Sequence, residues 1–228
     1  MGIAKLLYIF YNRDIEQERG KSMILWEDKA LVVCQKPAGV ISEDGGMPEL
    51  LKEQTGAKEI FCVHRLDRET AGLMVYAKTK RAAAGLSAAI EAGKLEKCYL
   101  AVVQGEPSPQ GDMRDLLFRD KAKNKSYVVK RMRKGVREAR LRYETLQQAR
   151  GFSLVRIELL TGRSHQIRVQ FASRGFPLLG DSRYGGSHRE LPLALYSAEL
   201  RFPHPLSGET LSFSSNPPEE EPWTWFSR

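Results

Sequence analysis

The residues of this 228-residue chain best suited to chemistry lie in the run His64-Arg65-Leu66-Asp67-Arg68-Glu69-Thr70-Ala71-Gly72. An aspartate between two arginines is held ionised if either guanidinium is close, and an ionised carboxylate is what a nucleophile or general base must be. The same residue types equally make a surface ion-pair turn, which contributes little. A second cluster is Thr161-Gly162-Arg163-Ser164-His165-Gln166-Ile167-Arg168. Its glycine turn brings two arginines and a histidine to the start of an expected helix, where free backbone N–H groups attract anions. An ordinary capped helix with solvated arginines would read the same way. The loop Gly180-Asp181-Ser182-Arg183-Tyr184-Gly185-Gly186 is a third polar cluster, weak by itself.

Charge adds a direction. The net charge is +8, and between Arg114 and Arg142 twelve Lys or Arg face only Asp115, Asp120 and Glu138, a local +9 that leaves the rest of the chain at −1. With Phe118, Tyr127 and Tyr143 interleaved, this segment suits phosphate contacts with occasional stacking, or else a solvated basic hairpin. The sequence holds no phosphate-binding glycine loop, no dinucleotide fingerprint and no metal-ligand spacing, so neither cofactor nor metal is expected. Cys34, Cys62 and Cys98 are odd in number and sit in apolar runs, as buried thiols of a reducing, cytoplasmic compartment do. No run approaches the roughly 20 apolar residues of a membrane span. Without heptads or a spare apolar stripe, a monomer is expected.

These clusters need elements to position them. Leu31 to Cys34, Phe61 to Val63 and Leu73 to Ala77 read as strands, which puts Asp67 on a loop between two of them. Residues 80 to 92 carry apolar groups at helical spacing and stop at Gly93. Tyr99 to Val103, Ala139 to Thr145 and Phe152 to Leu160 read as strands, Ser164 as the cap of a helix running to about Arg174, and Leu195 to Phe213 as a hairpin. Strands outnumber helices without regular alternation, so the fold class is α+β. Residues 1–22 read as an N-terminal extension, 23–216 as one catalytic domain, and the acidic 217–228 as a solvated tail.

In this order the clusters resemble the RluA-type family of RNA pseudouridine synthases, from Ile24 to Phe213. The pieces are Val32 to Gly39, His64 to Gly72, Lys97 to Ala101, Thr161 to Arg168, Gly180-Asp181 with Tyr184-Gly185, and Phe202-Pro203-His204-Pro205. The resemblance implies the family's catalytic fold, a mixed, mostly antiparallel central sheet flanked by helices and loops. It implies isomerisation of uridine to pseudouridine in structured ribosomal or transfer RNA. Asp67 would be the nucleophile, Tyr99 would stack on the uracil, and Arg168 would be the charge partner of Asp67. Ile167 would line the base pocket, and Arg65 would enter the RNA where the flipped base has left. His64, Arg163, His165 and Gln166 belong with the substrate-binding residues.

Three positions depart from the family pattern. Ala71 stands where serine commonly precedes Gly72, Gln35 where asparagine commonly precedes Lys36-Pro37, and Tyr196 where histidine is common. The S4 domain of many relatives has no room before the catalytic pattern, so recognition of the RNA would fall to the catalytic domain. Two other classes compete. One is a non-catalytic RNA-binding protein that retains the fold. The other is a glycosidic hydrolase, which would need a second carboxylate such as Glu69 or Asp181.

Overall fold

A computed structural model describes residues 23–226; the expected N-terminal extension lies outside them. In chain order come β1 (Ile24–Glu27), β2 (Leu31–Lys36), α1 (Met47–Thr55), β3 (Phe61–Cys62), β4 (Ala71–Ala77), α2 (Lys80–Glu91), β5 (Glu96–Gln104) and β6 (Gln110–Asp120). They are followed by β7 (Lys125–Val129), β8 (Val136–Ala149), β9 (Phe152–Leu159), α3 (Gln166–Ala172), β10 (Leu195–Pro203) and β11 (Thr210–Ser214). The chain is therefore α+β, with the mixed, mostly antiparallel strand arrangement that was expected.

Residues 23–97 and 197–216 form one compact unit, and residues 98–196 and 217–226 form another. In the first, β2 runs antiparallel to both β1 and β4, and β4 also pairs with the two-residue β3 and neighbours β10. Leu31, Val33, Leu73, Val75, Leu86, Phe202 and Phe213 make its core. Strands β2 and β4 read as unbroken apolar runs because both of their faces are covered. Gly72 opens β4 at φ 115°, and a Cβ there would run into the backbone oxygen and nitrogen of Ser197 on β10. Only glycine lets the strand that follows Asp67 lie so close to its neighbour. Helix α2 starts as anticipated, with the Thr79 hydroxyl accepting the N–H of Ala82 at 3.2 Å.

The second unit is an antiparallel stack in the order β5-β9-β8-β6-β7. Strands β6 and β7 are not evident in the sequence, because charged residues interrupt the alternation and leave only Met113, Leu117 and Ser126 buried. Helix α1, equally unanticipated, is only nine residues long. Its start is closed by Glu49, whose carboxylate accepts the N–H groups of Gly45 and Gly46 at 2.9 Å each.

One expectation needs correction: the C-terminal segment is not a solvated tail. Glu219, Glu220 and Glu221 are exposed, but Trp223–Trp225 form a 3-10 turn, and Phe226 is buried with Val102, Phe152, Leu179 and Ala194. Three aromatic side chains bury enough apolar area to outweigh the acidic run before them.

Candidate active site

The first unit carries His64, Arg65 and Asp67. Where β3 ends, the imidazole of His64 takes over from the backbone, its Nε2 accepting the N–H of Val75 at 3.2 Å. That bond leaves the proton on Nδ1. Burial, with Lys97 nearby, pushes the histidine pKa down to about 3, so the ring is neutral. His64 thus supports the strand that follows the loop.

The loop itself is laced from beneath. The Ser42 hydroxyl donates to the carbonyl of Leu66 at 3.0 Å and accepts its N–H at 3.1 Å, and the hydroxyl of buried Tyr76 holds the Ser42 carbonyl at 2.9 Å. Lys36 is 1% exposed, and its ammonium donates to the carbonyls of Pro37, Val40 and Arg68 at 2.8, 2.7 and 3.1 Å. Burial draws its pKa down to about 8, while the negative charges of Asp67 and Glu69 oppose that fall. The N–H of Gly39 also reaches the Arg68 carbonyl at 2.8 Å, and Thr70 N–H closes a turn onto the Asp67 carbonyl at 3.0 Å. Asp67 is half-buried on this loop.

Both flanking arginines have partners of their own. Arg65 pairs with Glu43 at 2.9 Å, with both side chains more than half exposed, and Arg68 donates from Nε to the Gly39 carbonyl at 2.8 Å. Inside this unit Lys36 feels the charge of Asp67, and residue spacing did not single it out. The Lys-Pro pair after an apolar strand was its one sequence signal.

The second unit carries Tyr99, Arg163, His165, Gln166, Ile167 and Arg168. Tyr99 on β5 lies opposite Ile157 on β9 and is buried, as is Ile167. Helix α3 begins later than expected. Its N-cap is His165, in the left-handed conformation at φ 55° and without a side-chain cap bond, so Ser164 does not cap it. The helix ends at Ala172 rather than Arg174, with Gly175 turning the chain at φ 83°.

Gln166 is buried and serves the turn. Its amide oxygen accepts from the Thr161 hydroxyl at 2.7 Å and the Arg163 N–H at 3.0 Å, and its amide nitrogen donates to the Arg140 carbonyl at 3.0 Å. Arg163 is exposed and donates to the Glu138 carbonyl at 2.9 Å. The turn is thereby bolted to β8.

Arg168 and Asp181, both nearly inaccessible, form a bidentate pair with Nε–Oδ2 at 2.7 Å and Nη2–Oδ1 at 2.8 Å. Asp181 also accepts the N–H groups of Arg183 and Tyr184, which fixes the loop after α3. The Tyr184 ring lies 5.4 Å from the Arg168 guanidinium carbon and 5.1 Å from the Lys125 ammonium. Its hydroxyl accepts the Ser126 N–H at 2.7 Å and meets His165 Nδ1 at 2.9 Å. Burial pushes that hydroxyl above the usual tyrosine range. Tyr184, which the sequence marked only as part of a weak loop, therefore links His165, Arg168 and β7.

Among the described residues, no group of three or more His, Cys, Asp or Glu could hold a metal. The arrangement offers one half-buried carboxylate on a rigid loop and, in the other unit, a locked arginine with a buried tyrosine.

The family model for RNA pseudouridylate synthase matches residues 30–173. A ribosomal large subunit pseudouridine synthase D from Zymomonas mobilis is 34% identical over 221 residues, covering 86% of this chain and 69% of that protein. One of the same name from Pseudomonas aeruginosa is 31% identical, covering 92% of this chain and 71% of the relative. The solved structure of human RNA pseudouridylate synthase domain containing 4 superposes with a TM-score of 0.72 at 26% identity, over 86% of this chain and 88% of that one. The chain belongs to the RNA pseudouridylate synthase family. Its activity is that of the class, an isomerisation of uridine to pseudouridine in RNA.

Proposed function

We propose that this enzyme acts in the cytoplasm, as a monomer, on a uridine exposed in a loop or bulge of structured RNA, with ribosomal RNA favoured over transfer RNA. The names of the relatives from Zymomonas mobilis and Pseudomonas aeruginosa favour the ribosomal substrate. Asp67 is the nucleophile in this proposal, Arg168 its charge partner and Tyr99 the platform for the uracil. The observation that carries the role of Asp67 is its place on a loop fixed from below by Lys36, Ser42 and Tyr76. Pre-organisation of that kind lowers the cost of reaching a reactive geometry.

The reaction breaks the bond from N1 to the ribose carbon, turns the uracil and joins C5 to the same carbon. The C5 proton leaves and N1 gains one. Attack by Asp67 on the sugar carbon and removal of a ribose proton to give a glycal both begin from an ionised carboxylate. As the charge partner in this proposal, Arg168 supplies the positive charge that favours that form.

Flipping the uridine costs a few kcal/mol, least where the base is already unpaired. Arg65 is suited to fill the vacated stack because its pairing with exposed Glu43 is worth only about 0–1 kcal/mol. The basic strands β6, β7 and β8 and their turns supply phosphate contacts, which add affinity without reading sequence. Arg163 is exposed at the turn before α3 and belongs to the same surface in this proposal, whereas His165 beside it is buried.

The test is product analysis. Ribosomal RNA from cells lacking the gene is incubated with the enzyme, digested to nucleosides and resolved. Pseudouridine at one or a few positions is expected, and free uracil would indicate a hydrolase instead. RNA that binds but stays unmodified would favour the non-catalytic reading.

A further inference from the structure

Among the described residues, six buried side-chain polar atoms lack a hydrogen-bond partner, and two of them, His64 Nδ1 and Thr70 Oγ1, bracket Asp67 three residues away on either side. A buried donor without a partner is costly, so its retention calls for an explanation in function or in a bound group. Thr70 is the sharper case. The residue is 1% exposed, and its own N–H closes the turn onto the Asp67 carbonyl at 3.0 Å. Residues at the first and fourth positions of a turn have Cα atoms within about 7 Å, and a threonine hydroxyl swings through a rotamer change to reach the group beside it.

We infer that Thr70 is a positioning residue for Asp67, its hydroxyl donating to the Asp67 carboxylate in the RNA-bound enzyme. This rests on Asp67 being the nucleophile, as proposed above. A hydroxyl donor does two things for such a carboxylate. It fixes which oxygen faces the sugar, and it stabilises the ionised form, since hydrogen bonding to the charged state lowers a carboxyl pKa. The free enzyme holds the hydroxyl buried without a partner and so bears a stability cost that the reacting complex removes. That is the pattern expected where folding and catalysis make opposing demands on one residue.

Thr70→Val keeps the shape and deletes the hydroxyl; Thr70→Ser keeps the hydroxyl. Single-turnover pseudouridine formation, KM for RNA, Tm and the pH–rate profile are measured for both and for the wild type. For Thr70→Val the expected result is a Tm equal to or above the wild type, KM within about twofold, and a rate roughly tenfold lower. The acid limb of its pH–rate profile should move up by about one pH unit, and Thr70→Ser should restore most of the rate. A purely structural hydroxyl would move none of the pH profile.

The inference is overturned if Thr70→Val keeps the wild-type rate and acid limb, or if rate and Tm fall together and serine restores neither. It also falls if Asp67→Asn leaves the wild-type rate intact, since the residue being positioned would then not be the nucleophile. The first two outcomes leave the nucleophile assignment standing, whereas the third removes it.

Discussion

The loop that carries Asp67 and the basic stretch of residues 121–137 use their polar groups in opposite ways. Beneath Asp67, Lys36, Ser42, Tyr76 and His64 are turned inward onto backbone atoms. In the basic stretch, Lys121, Lys123, Lys130, Arg131, Arg133, Lys134 and Arg137 are exposed, and Met132 among them is 62% exposed. Arg133 rests over the Phe118 ring at 5.1 Å, and Arg183 reaches across to the carbonyl of Asn124. The first region uses stability to hold one carboxylate in place. The second keeps its charge available for a polyanion, which needs charge density more than exact geometry. Substitutions in the two regions should therefore separate cleanly into losses of folding and losses of RNA affinity.

The largest effect should come from Lys36→Ala. It leaves a cavity and strips a donor from three carbonyls, so we expect about 3–5 kcal/mol of lost stability by urea unfolding. A loss below about 1 kcal/mol would mean that the loop does not depend on its buried ammonium.

His64 gives the next effect, and it depends on pH. Its pKa is near 3 in the folded chain and 6.5 by default, so the stability of the neutral ring is complete above pH 6.5 and is lost as pH falls toward 3. At pH 5 that amounts to roughly 2 kcal/mol relative to neutral pH. His64→Gln retains an acceptor for the Val75 N–H but cannot titrate, so its stability should drop less between pH 7 and pH 5. An equal drop in both proteins would assign the acid sensitivity to other groups.

The smallest effect on folding, with a clear effect on binding, should follow from replacing Lys130, Arg131, Arg133 and Lys134 together by alanine. Unfolding should move by less than about 1 kcal/mol, since these side chains are exposed. The Kd for RNA should rise about tenfold or more, and the slope of log K against log salt should fall in magnitude by about 3. An unchanged salt slope would remove this segment from the RNA surface.

The sequence displayed these two regions unequally. The Asp67 loop was legible because its polar signature is contiguous and flanked by apolar strands. Its support was not, since Lys36 reaches the carbonyl of Arg68, 32 residues on, and such a contact leaves no local pattern. In the other unit, Asp181 and Tyr184 lie 13 residues beyond Arg168 and 19 beyond His165, and only the folded loop shows that they lock and link these residues. The basic segment was recognisable by composition, yet its strands were hidden because charges occupied most positions that alternation needs. The C-terminal segment misled in the other direction: Pro217 to Pro222 read as solvated, while the aromatic residues just after them carry the burial.

The central claim is that a single carboxylate, Asp67, starts the isomerisation. It is tested most directly by release of tritium from RNA labelled at uracil C5, measured for the wild type, Asp67→Ala and Asp67→Asn at matched RNA occupancy. The account predicts steady release from the wild type and none from either variant, with RNA affinity retained. Release that continues in Asp67→Ala would contradict it.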